Sequence, residues 1–237
     1  MSIDMARGVA LLAMTAYHFA WDLEMFGLLE RGFMASPSMI ISARLIAGSF
    51  LFLVGFSFWL AHGQGMRWRA FVRRLAQIVA ASGLITLATW FAIPDAFIFF
   101  GILHSIALGS VLALAFLRLP WWLTAAAGLA IVALREALRT EWLDAPLWWW
   151  TGLSRVMPVS NDYVPVFPFF GVILLGLAAA RLASSRNLLR RMAGPAPSSN
   201  PARALEFIGR HSLVYYLAHQ PVMIAILYAA LWLTGRI

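Results

Sequence analysis

RGVALLAMTAYHFAWD, Arg7 to Asp22, decides the fold of this chain. The stretch is apolar except for a few polar side chains, and these recur at helical spacing. Eleven steps of about 100° return Arg7 and His18 to within roughly 20° of one azimuth, roughly 16 Å apart along the axis at ~1.5 Å per residue. Asp4 lies near the same stripe below Arg7, and Asp22 lies one turn above His18. A polar line along an apolar helix is costly to place in a membrane, so it marks a functional face.

The rest of the chain supplies the membrane context. Its 237 residues are 62% hydrophobic and only 12% charged, and the mean hydropathy is +0.80. A soluble domain of this length cannot bury so much apolar side chain, because about half of its residues face water. The apolar runs do not alternate as the strands of a membrane barrel do; LIAGSFLFLVGFSFWLA is one example. The expected fold is therefore all-α, a polytopic membrane helix bundle of about seven transmembrane helices. The candidate spans run near 4–26, 39–61, 74–93, 97–117, 121–137, 166–184 and 212–234. The first is expected to be a retained helix rather than a cleaved signal, since it ends in WDLEMFG with no small-x-small site. One integral-membrane domain over 1–237 is the simplest organisation, with GPAPSSNP, Gly194 to Pro201, as a flexible connector.

Charge sets the orientation. The net charge is +8, and all 18 basic residues are arginine. Arginines crowd HGQGMRWRAFVRR after the second span and the long segment after the sixth. With seven spans both lie on the side of the N-terminus, which the positive-inside rule places in the cytoplasm. The arginines thus read as topology signals, and nucleic acid is not an expected partner. The lipid bilayer is. There is no cysteine, which excludes disulfides, thiolate metal sites and a cysteine acyl-enzyme.

Several side chains could carry chemistry. His18 has Asp22 at i+4, close enough to fix its tautomer and raise its basicity, as for a general base; the two could equally satisfy each other as a structural pair. Arg7 could bind an anion such as phosphate, or pair with Asp4 and anchor the helix at the headgroups. His104 in FGILHSIALGS and His219 in YYLAHQPVM are lone intramembrane histidines, either lining a polar cavity or bonded to a neighbouring helix. Arg44, near the outer start of the second span, could contact a substrate or simply snorkel, and Asp162 is polar and lies just before the sixth span; Asp4, Arg44 and Asp162 are further possible cavity-lining residues. No metal motif, Walker A loop, GxGxxG or GxSxG elbow occurs. Intramembrane His, Asp and Arg are also the residues of proton relays, so a proton-coupled transporter is the competing reading.

SIDMARGVALLAMTAYHF resembles the opening helix of the heparan-alpha-glucosaminide N-acetyltransferase catalytic-domain family, in its short bacterial branch. FGILHSIAL, NDYVPVFPFFGVILLG and FIGRHSLVYYLAHQP extend the likeness along nearly the whole chain. The spacing of Arg7 and His18 is similar to the R-x10-H motif of the wider membrane acyltransferase superfamily. The resemblance implies an enzyme that moves an acetyl group from cytoplasmic acetyl-CoA to a periplasmic or lipid-linked sugar acceptor. It implies His18 as the catalytic histidine, with Asp22 beside it, and Arg7 as an acyl-CoA-binding residue. Arg73 and Arg74 add cationic charge for the phosphates of the donor. Acetyl-CoA would be a co-substrate, with no permanently bound cofactor.

Overall fold

The computed structural model describes residues 3–189 and 199–236. Most of the predicted connector, 194–198, lies outside the described residues. Nine helices are used below: α1 (Ile3–Met25), α2 (Pro37–His62), α3 (Trp68–Ala92), α4 (Ile102–Ala113), α5 (Trp121–Ala133), α6 (Arg135–Leu138), α7 (Val166–Ser185), α8 (Asn200–Arg210) and α9 (Ser212–Leu233). Each predicted span falls on a helix. Four of them, α2, α3, α7 and α9, are long and apolar enough to cross a membrane. α4 and α5 are shorter, and α1 has 23 residues but carries Asp4, Arg7, Asp22 and Glu24. α2, α3 and α9 leave many large apolar side chains exposed, among them Leu45, Phe91 and Leu233. That is the surface expected of helices solvated by lipid.

The chain divides into two compact units, with the boundary inside α2. The first comprises 1–49 and 191–237, the second 50–190.

In the first unit α1 packs against α8 and α9. Close backbone approach decides where α1 and α8 cross. Gly8 and Gly209 make that crossing. A Cβ on Gly8 would strike the carbonyl of Leu205, and one on Gly209 would strike the carbonyl of Asp4. The face of α1 carrying Leu11, Met14 and Asp22 is buried. α1 stops at Gly27, whose φ of +71° is the left-handed turn that glycine favours. There the Leu28 N–H donates to the Leu23 carbonyl at 2.8 Å, closing the helix end. The Glu24 carboxylate then accepts the N–H groups of Gly32 and Met34, each at 2.7 Å, and so shapes the loop to α2.

The second unit is organised around α7, which is 56% buried over its apolar window where the other three long helices reach at most 17%. Ile173, Leu174 and Leu177 are fully buried. Gly55 on α2 meets the Ile173 carbonyl, and Gly128 on α5 faces Gly171. The segment between α6 and α7 is folded about Asp144. Its Oδ1 accepts the Ser154 hydroxyl at 2.8 Å and the Arg155 N–H at 2.7 Å. These bonds, Ser154 first, hold the Asp144 carboxyl below the usual carboxylate range. Trp149 donates its indole N–H to the Asp144 carbonyl, and Tyr163 donates its hydroxyl to the Trp149 carbonyl at 2.6 Å. Burial pushes the Tyr163 hydroxyl up, so it stays a donor.

Candidate functional site: a polar ladder between α1 and α9

Three side-chain pairs join α1 to α9 in the first unit. They use Thr15, His18 and Asp22 on α1, spaced three and four residues apart and therefore on one helix face. Their partners are Tyr215, His219 and Gln220. The pairs follow the same order on both helices, so the two run in the same direction past each other.

At the first pair, Thr15 Oγ1 lies 2.9 Å from the Leu11 carbonyl and 2.9 Å from the Tyr215 hydroxyl. Thr15 has one proton, and the carbonyl can only accept it. The Tyr215 hydroxyl is therefore the donor to Thr15. At the second, His219 Nε2 lies 3.2 Å from His18 Nδ1, and the ring centroids are 5.1 Å apart. His219 Nδ1 lies 2.6 Å from the Tyr216 carbonyl, so that nitrogen carries the proton. A neutral His219 then has only a lone pair at Nε2, and His18 must donate its Nδ1–H to it. The Met14 carbonyl, one turn earlier, is another acceptor for the His18 ring. In this tautomer His18 Nε2 keeps a free lone pair, which is the form a general base needs. Tyr215 stacks on His219 at an interplanar angle of 2°, with centroids 6.3 Å apart.

At the third pair, Gln220 Nε2 donates to Asp22 Oδ1 at 2.5 Å. Asp22 is completely buried. The sequence suggests Asp22 as the partner of His18; in the structure its bond goes to Gln220, and His219 orients His18 instead. The i+4 spacing puts Asp22 on the right face but gives no sight of α9, whose side chains reach both residues first.

The other candidate residues are placed as follows. Arg7 Nη1 pairs with Asp4 Oδ1 at 2.6 Å, and Arg210 Nε stands 4.0 Å from Asp4 Oδ2. Asp4 is thus an acidic centre at the α1–α8 crossing, and Arg7 is largely buried beside it. Arg44 lies on α2, near its start.

In the second unit Arg73 and Arg74 are exposed near the start of α3, and Arg74 borders a cleft with His62, Phe58 and Ser110. His104 is the third residue of α4. Its Nδ1 accepts the Gly101 N–H at 3.2 Å, so Nε2 carries the proton and donates to Thr86 Oγ1 at 3.3 Å. Thr86 passes its own proton to the Ile98 carbonyl at 2.7 Å. One nitrogen of His104 thus serves the start of α4 and the other joins it to α3. Asp162 also serves that start: its Oδ2 accepts the Ile102 N–H at 2.9 Å, an N-terminal cap supplied from the loop before α7.

Sequence reasoning missed Thr15, Tyr215 and Gln220 as members of the site. Thr15 lies on the Arg7–His18 stripe, and Tyr215 and Gln220 flank His219 within one turn; those spacings were the available signal.

Neither a curated protein nor a solved structure matches the chain. The family model described as heparan-alpha-glucosaminide N-acetyltransferase, catalytic, matches residues 1–221, a span that contains every residue of the ladder, and the chain belongs to that family.

Proposed function

We propose that this membrane acetyltransferase uses acetyl-CoA as donor and His18 Nε2 as the base that activates the acceptor. The observation that carries the reading is the His18–His219 contact. It leaves a basic lone pair on a histidine whose other nitrogen is committed to a neighbouring ring. The acceptor, a hydroxyl or amine on a periplasmic or lipid-linked sugar, gives its proton to Nε2 as it attacks the thioester carbonyl. The C–S bond breaks, the acetyl group stays on the acceptor, and the proton passes to the CoA thiolate. His219 stays neutral and holds the ring in place. Arg7 contributes positive charge on the same helix for the donor's phosphates, with Asp4 fixing its direction. Arg73 and Arg74 are further cations for that donor. The N-terminus would be cytoplasmic, as the arginine distribution favours, and the host membrane a bacterial inner membrane, as the likeness to the bacterial branch implies.

Calorimetric titration of the purified protein with acetyl-CoA tests the donor. Saturable binding is expected, weakened about 10-fold or more in Arg7→Ala, since a charge-assisted bond is worth about 1.5–3 kcal/mol. Absence of binding in the intact protein would remove the donor from the account.

A further inference from the structure

The catalytic reading leaves the third pair of the ladder unused, and that pair is electrically incomplete. Asp22 is fully buried, yet only its Oδ1 is bonded; Oδ2 has no hydrogen-bond partner. Gln220 donates through Nε2, and its Oε1 is buried and also without a partner. The two residues joined by this one bond therefore each carry a buried oxygen without a partner. Pro221 follows directly and has no N–H to give to the Leu217 carbonyl, which loses its usual helical donor on the same turn of α9.

Nor does a basic side chain balance the carboxylate. Among the described residues no arginine pairs with Asp22, while Arg7 and Arg210 are engaged with Asp4. His18 Nδ1 and His219 Nε2 are joined to each other. A buried carboxylate with neither a counter-charge nor a donor on one oxygen is strongly disfavoured.

We propose that Asp22 and Gln220 hold a compact monovalent cation against their two unpartnered oxygens, one turn along α1 from His18. The ligand must be small, because the carboxylate is sealed from solvent. One carboxylate beside a neutral amide oxygen matches a single positive charge, and hard oxygen donors match an alkali ion or an ammonium group. No group of three His, Cys, Asp or Glu side chains gathers among the described residues, which fits neither zinc nor a divalent cage. The same chemistry has two sources: a free ion such as sodium, or the protonated amine of a ligand entering beside His18. Cation binding goes beyond the transfer reaction and is read without it, so its failure leaves the acetyltransferase reading standing.

The test is thermal unfolding of the full-length protein in detergent, in sodium chloride, methylammonium chloride or tetramethylammonium chloride at equal ionic strength. Tetramethylammonium is bulky and has no N–H. A ligand at about ten times its Kd should raise Tm by roughly 3–6 °C for a chain of this size. The proposal expects such a rise, saturable, with sodium, with methylammonium or with both, and loss of the rise in Asp22→Asn. A rise with sodium identifies a free ion, and one confined to methylammonium identifies an amine. Gln220→Leu serves as second variant, keeping the carboxylate but removing Oε1, and should weaken the shift. Equal Tm in the three salts, or a shift that persists in both variants, overturns the proposal and leaves a bound proton as the balance for Asp22.

Discussion

Replacing His219 with leucine removes the side-chain acceptor of the His18 Nδ1–H while leaving an apolar group of similar bulk. The buried donor loses a side-chain bond worth about 0.5–1.5 kcal/mol and keeps only the Met14 carbonyl as acceptor. Part of that loss appears as a ring free to flip or to move its proton to Nε2, where it can no longer act as base. At about 1.4 kcal/mol per factor of ten, kcat should fall roughly 2- to 12-fold. KM for acetyl-CoA should stay put, because His219 does not touch the donor in the proposed mechanism. His219→Gln keeps an amide oxygen that can accept the same proton, so it should recover most of the lost rate. Release of CoA thiol in proteoliposomes, made with lipids of the expressing cells, measures this directly. The chain has no cysteine, so the enzyme adds no thiol background. Equal defects in the leucine and glutamine variants, or no defect in either, would refute the tautomer argument, since only the acceptor distinguishes them.

The remaining predictions concern the scaffold. Gly209→Leu pushes a side chain into the Asp4 carbonyl and should cost about 1–3 kcal/mol, seen as a Tm lowered by several degrees. Asp162→Ala removes the cap of α4 and should cost about 1 kcal/mol with kcat unchanged, whereas Asp162→Asn, which keeps a side-chain acceptor, should be nearly neutral. For Asp144 the folded carboxyl lies below its ordinary value, so its bonds to Ser154 and Arg155 stabilise the loop above the ordinary carboxylate range. That contribution is lost as pH falls through the ordinary value toward the lowered one. Hydrogen exchange at the Arg155 and Val156 amides should rise in that window, and Asp144→Ala should show the raised exchange at neutral pH.

Much of the fold is legible from residues alone, and the reason is periodicity. The stripe of Arg7, His18 and Asp22 is visible because a helix returns every 3.6 residues, and α1 does bury part of that face. Glycines in RGVALL and GFSFW read as close-packing positions, and Gly8 and Gly55 both meet a facing carbonyl. Partners across helices are not legible. Asp22 reads as the partner of His18 and His104 as a possible cavity-lining residue, and what they bind is decided by residues 198 and 18 positions away. Asp162 reads as a possible cavity-lining residue because it is acidic and near a span; its role as a cap depends on the start of α4 lying beside it. The apolar runs mark where helices form, and four of the described helices are long and apolar enough to cross, while α4 and α5 are shorter and α1 carries four charged residues.

The most direct measurement is acetyl-CoA-dependent release of CoA by the reconstituted protein, compared with His18→Ala. Acetyl transfer through His18 Nε2 predicts saturable thiol release in the intact chain. It also predicts a loss of at least about 100-fold in the variant, the lower bound for removing a general base, with acetyl-CoA affinity and Tm little changed. Full activity in His18→Ala would contradict the account at its centre.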